Sequence, residues 1–338
     1  MVARQRRSLM FTAPGQVVLR SEASPAPGPG EVRVRSLCSA ISAGTELLVY
    51  RGQAQPDLQA DSTIGALSGS LAYPLKYGYA TVGRIIESGP GTHGWQDRRV
   101  FAFNPHETEF VAPVNSLLQL PDDLNDEDAL FLPNMETAVS LAQDGHVYPG
   151  ERVVVLGAGV VGLLTTTLLA RTPLAQLTVI DGLPLRRRTA QTMGAKRVVD
   201  PADTSAITAL EGLADVTFEL TGSPAALDTA IGLTGYAGRV IIGSWYGTKP
   251  VTLDLGGTFH RSRIQLISSQ VSTLAPALLA RWTKERRLNF ALTLLALFRP
   301  SLLITHRIPF ESAPDAYAML AAGNPDILQV VLTHDPTH

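Results

Sequence analysis

The sequence predicts an α/β protein in which a doubly wound parallel sheet is inserted between two parts of a β-rich domain. Residues 1–125 have the pattern of short strands separated by turns, since charged and apolar residues alternate over residues 31–35 after a proline- and glycine-rich loop. From about residue 126 to 267, apolar runs of strand length alternate with helical stretches. This alternation is typical of parallel strands joined by crossover helices. We expect residues 268–338 to complete the first domain.

The inserted segment contains five apolar runs that we predict to be strands of one sheet: Arg152–Leu156, Gln176–Asp181, Arg197–Asp200, Val216–Leu220 and Arg239–Gly243. The last segment predicts amphipathic helices at Leu274–Arg287 and Ala313–Ala322. A closing strand is expected at Leu328–Leu332, paired with strands of the N-terminal part.

Composition and charge argue against several classes of partner. The formal net charge is −2, so there is no overall basic field to attract nucleic acid or a membrane surface. The single cysteine, Cys38, excludes an intrachain disulfide and fits a reducing cytoplasm. Residues 288–304 are apolar, but Arg299 and Pro300 interrupt them, which predicts a buried helix and strand instead of a membrane span. We expect a cytoplasmic protein.

A glycine-rich loop carries the strongest chemical signal. The apolar run before Gly157 leads into Gly157-Ala158-Gly159-Val160-Val161-Gly162, and a helical stretch over Leu163–Arg171 follows. The first glycine permits a tight turn and the second lets the backbone approach a pyrophosphate. The third allows close packing of helix and strand. The start of the helix, including Val160 and Val161, supplies free N–H groups. The pattern predicts a Rossmann domain that binds a dinucleotide.

An acidic residue ends the next predicted strand, where it would accept hydrogen bonds from the adenosine ribose hydroxyls. This residue is Asp181, and its negative charge would repel a 2′-phosphate. NAD is therefore the predicted cofactor. Arg186, Arg187 and Arg188 leave NADP open, since they could reach such a phosphate or could form a solvated helix face.

The chain resembles the medium-chain dehydrogenase/reductase superfamily over nearly its whole length. The matching elements are Val32–Val34, Gly44-Thr45-Glu46, Gly78, Gly83, Pro149-Gly150-Glu151, the glycine loop, Thr221-Gly222 and Gly238-Arg239. Three further stretches resemble the branch that contains 2-desacetyl-2-hydroxyethyl bacteriochlorophyllide a dehydrogenase: Ile41–Glu46, Tyr73-Pro74-Leu75 with Gly78-Tyr79, and Leu303–Arg307. The resemblance implies a GroES-like catalytic domain, residues 1–125 and 268–338, around an NAD-binding domain, residues 126–267. It also implies a homodimer, for which we predict an edge strand near Leu253–Leu255.

The chain departs from zinc-dependent relatives at each catalytic ligand position. Ala43 stands where they have Cys, Tyr79 and Ala80 where they have His-Glu, and Pro133 or Asn134 where they have the third ligand. Zinc normally needs three ligands drawn from Cys, His and carboxylates, so no zinc is expected. A metal held by His106, Glu109 or Glu136 is left open.

Without zinc, hydroxyl or imidazole groups would have to polarise a carbonyl or deprotonate an alcohol. Thr45 matches the hydroxyl that passes the substrate proton in zinc-dependent relatives, but it could equally cap a helix or turn. The Tyr79 hydroxyl could face the reacting oxygen or simply fill the former metal position. His106 follows an apolar strand where a cleft would open, although a lone histidine there is more often a surface residue. We expect Glu46 to pair with a nearby arginine.

The resemblance and the topology also imply further cofactor contacts. Thr137 precedes the glycine loop and matches a cofactor-facing threonine of the family. The other predicted contacts share a position at the carboxyl ends of sheet strands, where nucleotides bind: Thr221, Gly222, Gly243, Ser244 and Trp245.

These observations predict a zinc-independent oxidoreductase that transfers a hydride between NAD(H) and a small-molecule alcohol or carbonyl substrate. A secondary alcohol, a polyol or a hydroxyethyl side chain would suit. Two alternatives stay open: a zinc-free reductase of quinone or enoyl double bonds that uses NADPH, and a non-catalytic dinucleotide-binding protein.

Overall fold

A computed structural model describes residues 4–334, and the predicted domain ends at 1–3 and 335–338 lie outside this range. The strands are β1 Gln5–Ala13, β2 Gln16–Ala23, β3 Glu31–Ile41, β4 Thr81–Ser88, β5 Arg99–Ala102, β6 Glu109–Pro113, β7 Leu117–Gln119, β8 Arg152–Leu156, β9 Gln176–Ile180, β10 Arg197–Val199, β11 Ala214–Glu219, β12 Thr234–Ile242, β13 Gln265–Ser268, β14 Ile304–Pro309 and β15 Gln329–Thr333. The α-helices are α1 Glu46–Tyr50, α2 Asp126–Ala129, α3 Leu132–Gly145, α4 Val160–Leu169, α5 Pro184–Thr192, α6 Thr204–Thr208, α7 Pro224–Leu233, α8 Lys284–Phe298 and α9 Ala313–Ala321.

The chain divides into two units, one of residues 1–133 and 295–338 and one of residues 134–294. The second unit contains a six-stranded parallel sheet in the order β10-β9-β8-β11-β12-β13. Its strand order reverses on either side of β8, which is the topological switch point of a doubly wound sheet. The predicted fold class, an α/β sheet inserted between two parts of a β-rich domain, is confirmed.

Five of the six strands in this sheet overlap the predicted runs. Strand β8 has the predicted bounds, whereas β12 begins at Thr234, before the predicted start at Arg239. The sixth, Gln265–Ser268, was not predicted, because it is short and only half-buried. It lies at the edge of the sheet. The edge strand predicted near Leu253–Leu255 is wrong, since Leu255 instead begins a π-helical turn that ends at Phe259. The side chain of Asp254 accepts hydrogen bonds from Gly256 N and Gly257 N and so favours that turn.

The first unit is built around the long strand β3. It pairs in antiparallel fashion with β4, β6 and β15, and β14 lies parallel to β15 on the far side. The predicted closing strand therefore pairs with the N-terminal part, in a register that sets Val331 opposite Ala40. Strands β1 and β2 form a separate hairpin.

Each unit has a core of its own. In the first, one apolar cluster includes Phe11, Leu47 and Tyr317, and a second lies around Val34 and Phe110. In the second unit the core is made mainly of apolar side chains of the parallel sheet and of α7. Cys38 is buried, and burial raises the pKa of its thiol.

The unit boundaries lie further along the chain than positions 126 and 268, which the sequence suggested. Helix α2 belongs to the first unit because Asp128 Oδ1 accepts a 2.7 Å hydrogen bond from Ser301 N and Glu127 pairs with Arg307. Residues 268–294 belong to the second unit. There the fully buried Arg287 lies 3.0 Å from the equally buried Glu136.

The helix predicted at Leu274–Arg287 is wrong. A 3-10 turn covers Pro276–Leu278, and α8 begins only at Lys284. Arg287 is buried, and its guanidinium donates to the carbonyl oxygens of Val271 and Thr273 and holds the intervening chain. Helix α8 ends at Phe298, before Arg299 in a left-handed conformation and Pro300. Within residues 4–334, no helix combines the length and apolarity needed to cross a bilayer.

We predict that Arg287→Met destabilises the second unit. The substitution leaves the carboxylate of Glu136 buried with only Lys284, 3.3 Å away, to balance it. Removing one partner of a buried ion pair costs about 3–5 kcal/mol. Urea unfolding followed by the fluorescence of Trp245 and Trp282, both in this unit, measures the loss.

Arg286→Met is the matched control for this substitution, since Arg286 is exposed and stacks on Trp282. It should cost under about 1 kcal/mol. The double variant Glu136→Gln/Arg287→Met should recover part of the lost stability, because neither charge is then left unpaired. Equal urea unfolding midpoints for Arg287→Met and Arg286→Met would contradict the prediction.

Candidate active site

The glycine loop of the second unit is shaped by two close backbone approaches. Gly157 has φ +96°, and a Cβ there would lie 2.7 Å from the carbonyl oxygen of Leu220. A Cβ on Gly162 would lie 1.9 Å from the carbonyl oxygen of Gly157. No other residue fits at either position. Gly159 is the N-cap of α4 and has no side chain to cover the first N–H groups of Val160 and Val161. A helix start of this kind attracts phosphate.

Asp181 lies directly beside this loop. One of its carboxylate oxygens accepts a 2.8 Å hydrogen bond from Ala158 N, and the other accepts a 2.8 Å bond from Leu183 N. The side chain is largely buried. Each carboxylate oxygen keeps a further acceptor site, so the group can still bind a pair of vicinal hydroxyls. The loop and this carboxylate together fit the pyrophosphate and ribose of a dinucleotide.

The three arginines of α5 differ in their surroundings. Arg186 Nη1 lies 3.9 Å from Asp181 Oδ2. Arg187 donates to the carbonyl oxygen of Asp181 and pairs with Asp200 at 2.8 Å, so it is already engaged. Arg188 is exposed. Arg186 is therefore the arginine best placed to face a ribose or its phosphate.

The other predicted cofactor contacts lie at the carboxyl ends of β11 and β12, and Thr137 lies in α3. Gly222 N donates to Ser244 Oγ at 2.8 Å, which joins the two strand ends. Gly243 N donates to Glu219 O at 3.1 Å, and Trp245 is partly exposed. Sequence reasoning missed Glu219, a fully buried carboxyl group at the end of β11. Its position between Phe218 and Leu220, at the end of a predicted strand, was the available signal.

In the first unit, three hydroxyl-bearing residues lie near one another: Ser42, Thr45 and Tyr79. The Tyr79 hydroxyl donates to Ser42 Oγ. Burial raises the pKa of Tyr79 to about 12, as does the neighbouring Glu46, while hydrogen bonds with Ser42 and Thr45 partly oppose the rise. Tyr79 is therefore a proton-bearing donor at neutral pH. Thr45 precedes α1, but its side chain does not cap that helix. Ser42 was not predicted.

His106 is fully buried, so the prediction that it faces a cleft is wrong, and so is the surface alternative. Gly78 explains the burial, because it packs so closely that a Cβ there would lie 2.7 Å from His106 Cδ2. His106 Nε2 lies 3.0 Å from Glu46 Oε2, and Nδ1 lies 2.8 Å from Ser39 Oγ. Both ring nitrogens are thus occupied within the protein.

Glu46 is the centre of this polar cluster. It pairs with His106 and not, as expected, with an arginine. One carboxylate oxygen accepts a 2.8 Å hydrogen bond from Ser42 N, and the other accepts from the Tyr317 hydroxyl. This arrangement fixes the Ser42–Glu46 turn, which carries two of the three clustered hydroxyls.

The residues at the family's zinc ligand positions do not fit a catalytic zinc, since Ala43 and Ala80 have no donor atom. The carboxylates of the alternative metal site that the sequence left open, Glu109 and Glu136, pair with arginines instead. Glu109 pairs with Arg4 and Arg33, and Glu136 pairs with Arg287. In the described part of the chain, no three histidine, cysteine or acidic side chains form a group that could hold a metal ion.

Comparison with known proteins gives matches to dehydrogenases. The zinc-binding dehydrogenase family matches residues 160–284. A curated relative, 2-desacetyl-2-hydroxyethyl bacteriochlorophyllide A dehydrogenase of Cereibacter sphaeroides, is 25% identical over 348 residues, covering 96% of this chain and 97% of its own.

Solved structures share the fold over both parts of the chain. An alcohol dehydrogenase from Escherichia coli CFT073, complexed with NADH, superposes with a TM-score of 0.78 at 19% identity, covering 97% of this chain and 99% of its own. A protein of Sinorhizobium meliloti 1021 described as a zinc-binding dehydrogenase, bound to NADP, superposes with a TM-score of 0.77 at 18% identity. The match covers 98% of this chain and 99% of that one. The family match, the relative matched along nearly its whole length and the shared fold together support the resemblance of this chain to the medium-chain dehydrogenase/reductase superfamily.

Proposed function

We propose that the chain is a zinc-independent oxidoreductase that transfers a hydride between NAD(H) and an alcohol or carbonyl substrate. The hydroxyl cluster of Ser42, Thr45 and Tyr79 carries this proposal, because Tyr79 takes the place of a metal ligand of zinc-dependent relatives and its hydroxyl donates to Ser42 beside Thr45. Hydroxyl donors can polarise a carbonyl oxygen and deliver a proton to it without a metal.

The bound nicotinamide would supply or accept the hydride, and the protein's own residues would manage the proton. When a carbonyl is reduced, the Tyr79 O–H bond breaks and its proton moves to the substrate oxygen, which becomes a hydroxyl. Thr45, in the turn that also carries Ser42, the hydrogen-bond partner of Tyr79, relays the replacement proton. Oxidation of an alcohol runs the same steps in reverse.

NAD is the proposed cofactor, because the carboxylate of Asp181 is held beside the glycine loop where a 2′-phosphate would meet its charge. The NADP bound to the Sinorhizobium meliloti structure and the position of Arg186 keep NADP as the second candidate. A double-bond reductase that uses NADPH is the corresponding alternative reaction.

The proposed substrate is a secondary alcohol, a polyol or a hydroxyethyl side chain, or the matching carbonyl. The name of the Cereibacter sphaeroides relative supports a hydroxyethyl group. Purified protein supplied with NAD or NADP and with panels of secondary alcohols, polyols and enones should change absorbance in the reduced-nicotinamide band. Turnover of enones alone with NADPH would favour the alternative reaction, and binding without turnover of any panel would favour a non-catalytic protein.

We also propose a homodimer formed across β13. This strand pairs only with β12 among the described residues, and its other edge can extend the sheet across a two-fold axis. Light scattering at micromolar concentration should give a mass near twice the 36.1 kDa of one chain. Gln265→Pro should lower that mass, because proline adds bulk to the edge and removes a donor. A wild-type mass near that of one chain would contradict the proposal.

Metal independence is directly measurable. Elemental analysis should find less than one zinc per chain, and incubation with EDTA should leave both the melting temperature and turnover unchanged, since Ala43 and Ala80 offer no ligand atoms. One tightly held zinc per chain, lost together with activity on chelation, would overturn the proposal.

Tyr79→Phe tests the proton donor. The variant should lower kcat for carbonyl reduction by about 10²–10⁴-fold and leave cofactor affinity unchanged. Tyr77→Phe is the matched control, because Tyr77 is a buried neighbour whose ring lies 6.3 Å from that of Tyr79. It should keep the wild-type rate.

The raised pKa of Tyr79 also fixes the sign of the pH dependence. Because that pKa is about 12, Tyr79 stays protonated between pH 7 and 10, and carbonyl reduction should not fall across this range through loss of its proton. Alcohol oxidation needs the deprotonated form and should rise with pH. A fall in reduction centred near pH 8 in wild type but not in Tyr79→Phe would contradict this assignment.

Asp181→Ala tests cofactor choice. A hydrogen bond to a charged group contributes about 1.5–3 kcal/mol, so NAD binding should weaken about ten- to a hundredfold, while NADP binding improves or stays level. Asp200→Ala is the control, because Asp200 pairs with Arg187 but does not contact the glycine loop. Calorimetric titration of both nucleotides gives the ratio. An unchanged ratio of NAD to NADP affinity in Asp181→Ala would show that this carboxylate does not bind the ribose.

A further inference from the structure

A fully buried carboxyl group lies at the carboxyl end of β11, in the nucleotide-binding unit. Glu219 Oε1 accepts hydrogen bonds from both Thr221 N, at 2.7 Å, and the Thr221 hydroxyl. Its other oxygen accepts a 2.6 Å bond from the Tyr246 hydroxyl. Burying a carboxyl group is costly unless hydrogen bonds compensate it. Hydrogen-bond donors in the two loops that follow β11 and β12 provide this compensation.

The same two loops are joined at further points. The Ser244 hydroxyl accepts from Gly222 N at 2.8 Å, and Glu219 O accepts from Gly243 N at 3.1 Å. Lys249 Nζ donates to Gly222 O. Residues 221–222 and 243–249 therefore form one hydrogen-bonded platform, with Glu219 beneath it.

The sheet itself does not need these bonds. Strands β11 and β12 already pair in parallel up to Glu219 and Ile242, and an apolar core packs on them. The side-chain bonds of Glu219 all lie beyond the last strand pair. Their effect is to fix loop geometry, and the pKa of Tyr246, raised by burial and by Glu219, keeps its hydroxyl protonated as the donor.

The strand order indicates which part of a dinucleotide would meet this platform. Asp181, which follows β9, marks the adenosine side, and the helix start after β8 marks the pyrophosphate. The ends of β11 and β12 lie on the opposite side of β8. A dinucleotide that crosses the switch point would place its nicotinamide half there.

We propose that Glu219 and Tyr246 are positioning residues for the nicotinamide half of the cofactor, acting through Thr221, Gly222 and Ser244. This inference rests on the proposed dinucleotide-dependent function. It assigns the two residues no contact with the reacting atoms. It requires that their loss weakens recognition of the nicotinamide half and leaves recognition of the adenosine half unchanged.

The test compares the binding of NAD with that of ADP, which carries only the adenosine and pyrophosphate groups. Calorimetric titration of Glu219→Gln and Tyr246→Phe should show NAD binding weakened about tenfold and ADP binding within about twofold of wild type. Asp181→Ala should weaken both ligands. The ratio of the two affinities is the informative readout, because a general loss of structure would lower both equally.

Matched controls are available in the same unit. Tyr236→Phe removes a hydroxyl from an exposed tyrosine, and Glu211→Gln neutralises an exposed carboxylate. Both should leave the ratio of NAD to ADP affinity unchanged. Should Glu219→Gln fail to fold, Tyr246→Phe decides alone, since it removes one hydroxyl from a residue that is only partly buried.

The possible outcomes separate this inference from the function on which it rests. If wild type binds ADP but neither NAD nor NADP, the proposed function fails and the positioning role fails with it. If wild type binds NAD and both variants keep the wild-type ratio, only the positioning role is overturned. Equal weakening of NAD and ADP overturns it as well. A selective loss of NAD affinity in Tyr246→Phe, absent in Tyr236→Phe, supports it.

Discussion

The buried carboxyl group of Glu46 determines the arrangement of the polar cluster in the first unit. A carboxyl group without access to water needs hydrogen-bond donors. Glu46 is hydrogen-bonded to a backbone N–H, an imidazole and a phenol. These donors come from Ser42, His106 and Tyr317, which lie in three distant stretches of sequence. Holding them together fixes the turn that carries Ser42 and Thr45 and sets Tyr79 against it. The cluster thereby gains a defined shape from hydrogen bonds alone.

Buried carboxyl groups perform a similar structural task in the second unit. Asp181 joins the glycine loop to the turn after β9, and Glu219 joins the loops after β11 and β12. In each case backbone N–H groups at strand ends would otherwise lack partners, and the side chain satisfies them. These carboxyl groups therefore order the loops at the carboxyl edge of the sheet. Such preorganisation lowers the entropic cost of binding a ligand.

Sequence reasoning succeeded where the signal is local. The strand Arg152–Leu156 and the loop from Gly157 to Gly162 follow from hydrophobic run length and glycine spacing within a few residues. The surroundings of His106 could not be derived this way, because its partner Glu46 lies 60 residues away and Tyr317 reaches that carboxylate from 271 residues away. The burial of Arg287 could not be derived for the same reason. A charged side chain normally faces solvent, and only its distant partner Glu136 reverses that rule.

The pairing of β15 with β3 has a consequence for the order in which the chain acquires structure. Residues 134–294 are continuous in sequence, so this unit can complete its sheet as soon as β13 has left the ribosome. The central sheet of the first unit must wait for Val330 and Val331 to pair with Ile41 and Ala40, which lie far earlier in the chain. Closing so long a loop slows folding, although its entropic cost grows only slowly with length. During synthesis, the edge of β3 over residues 38–41 therefore stays open until β15 has been made, and an open edge of this kind is where nascent chains associate wrongly.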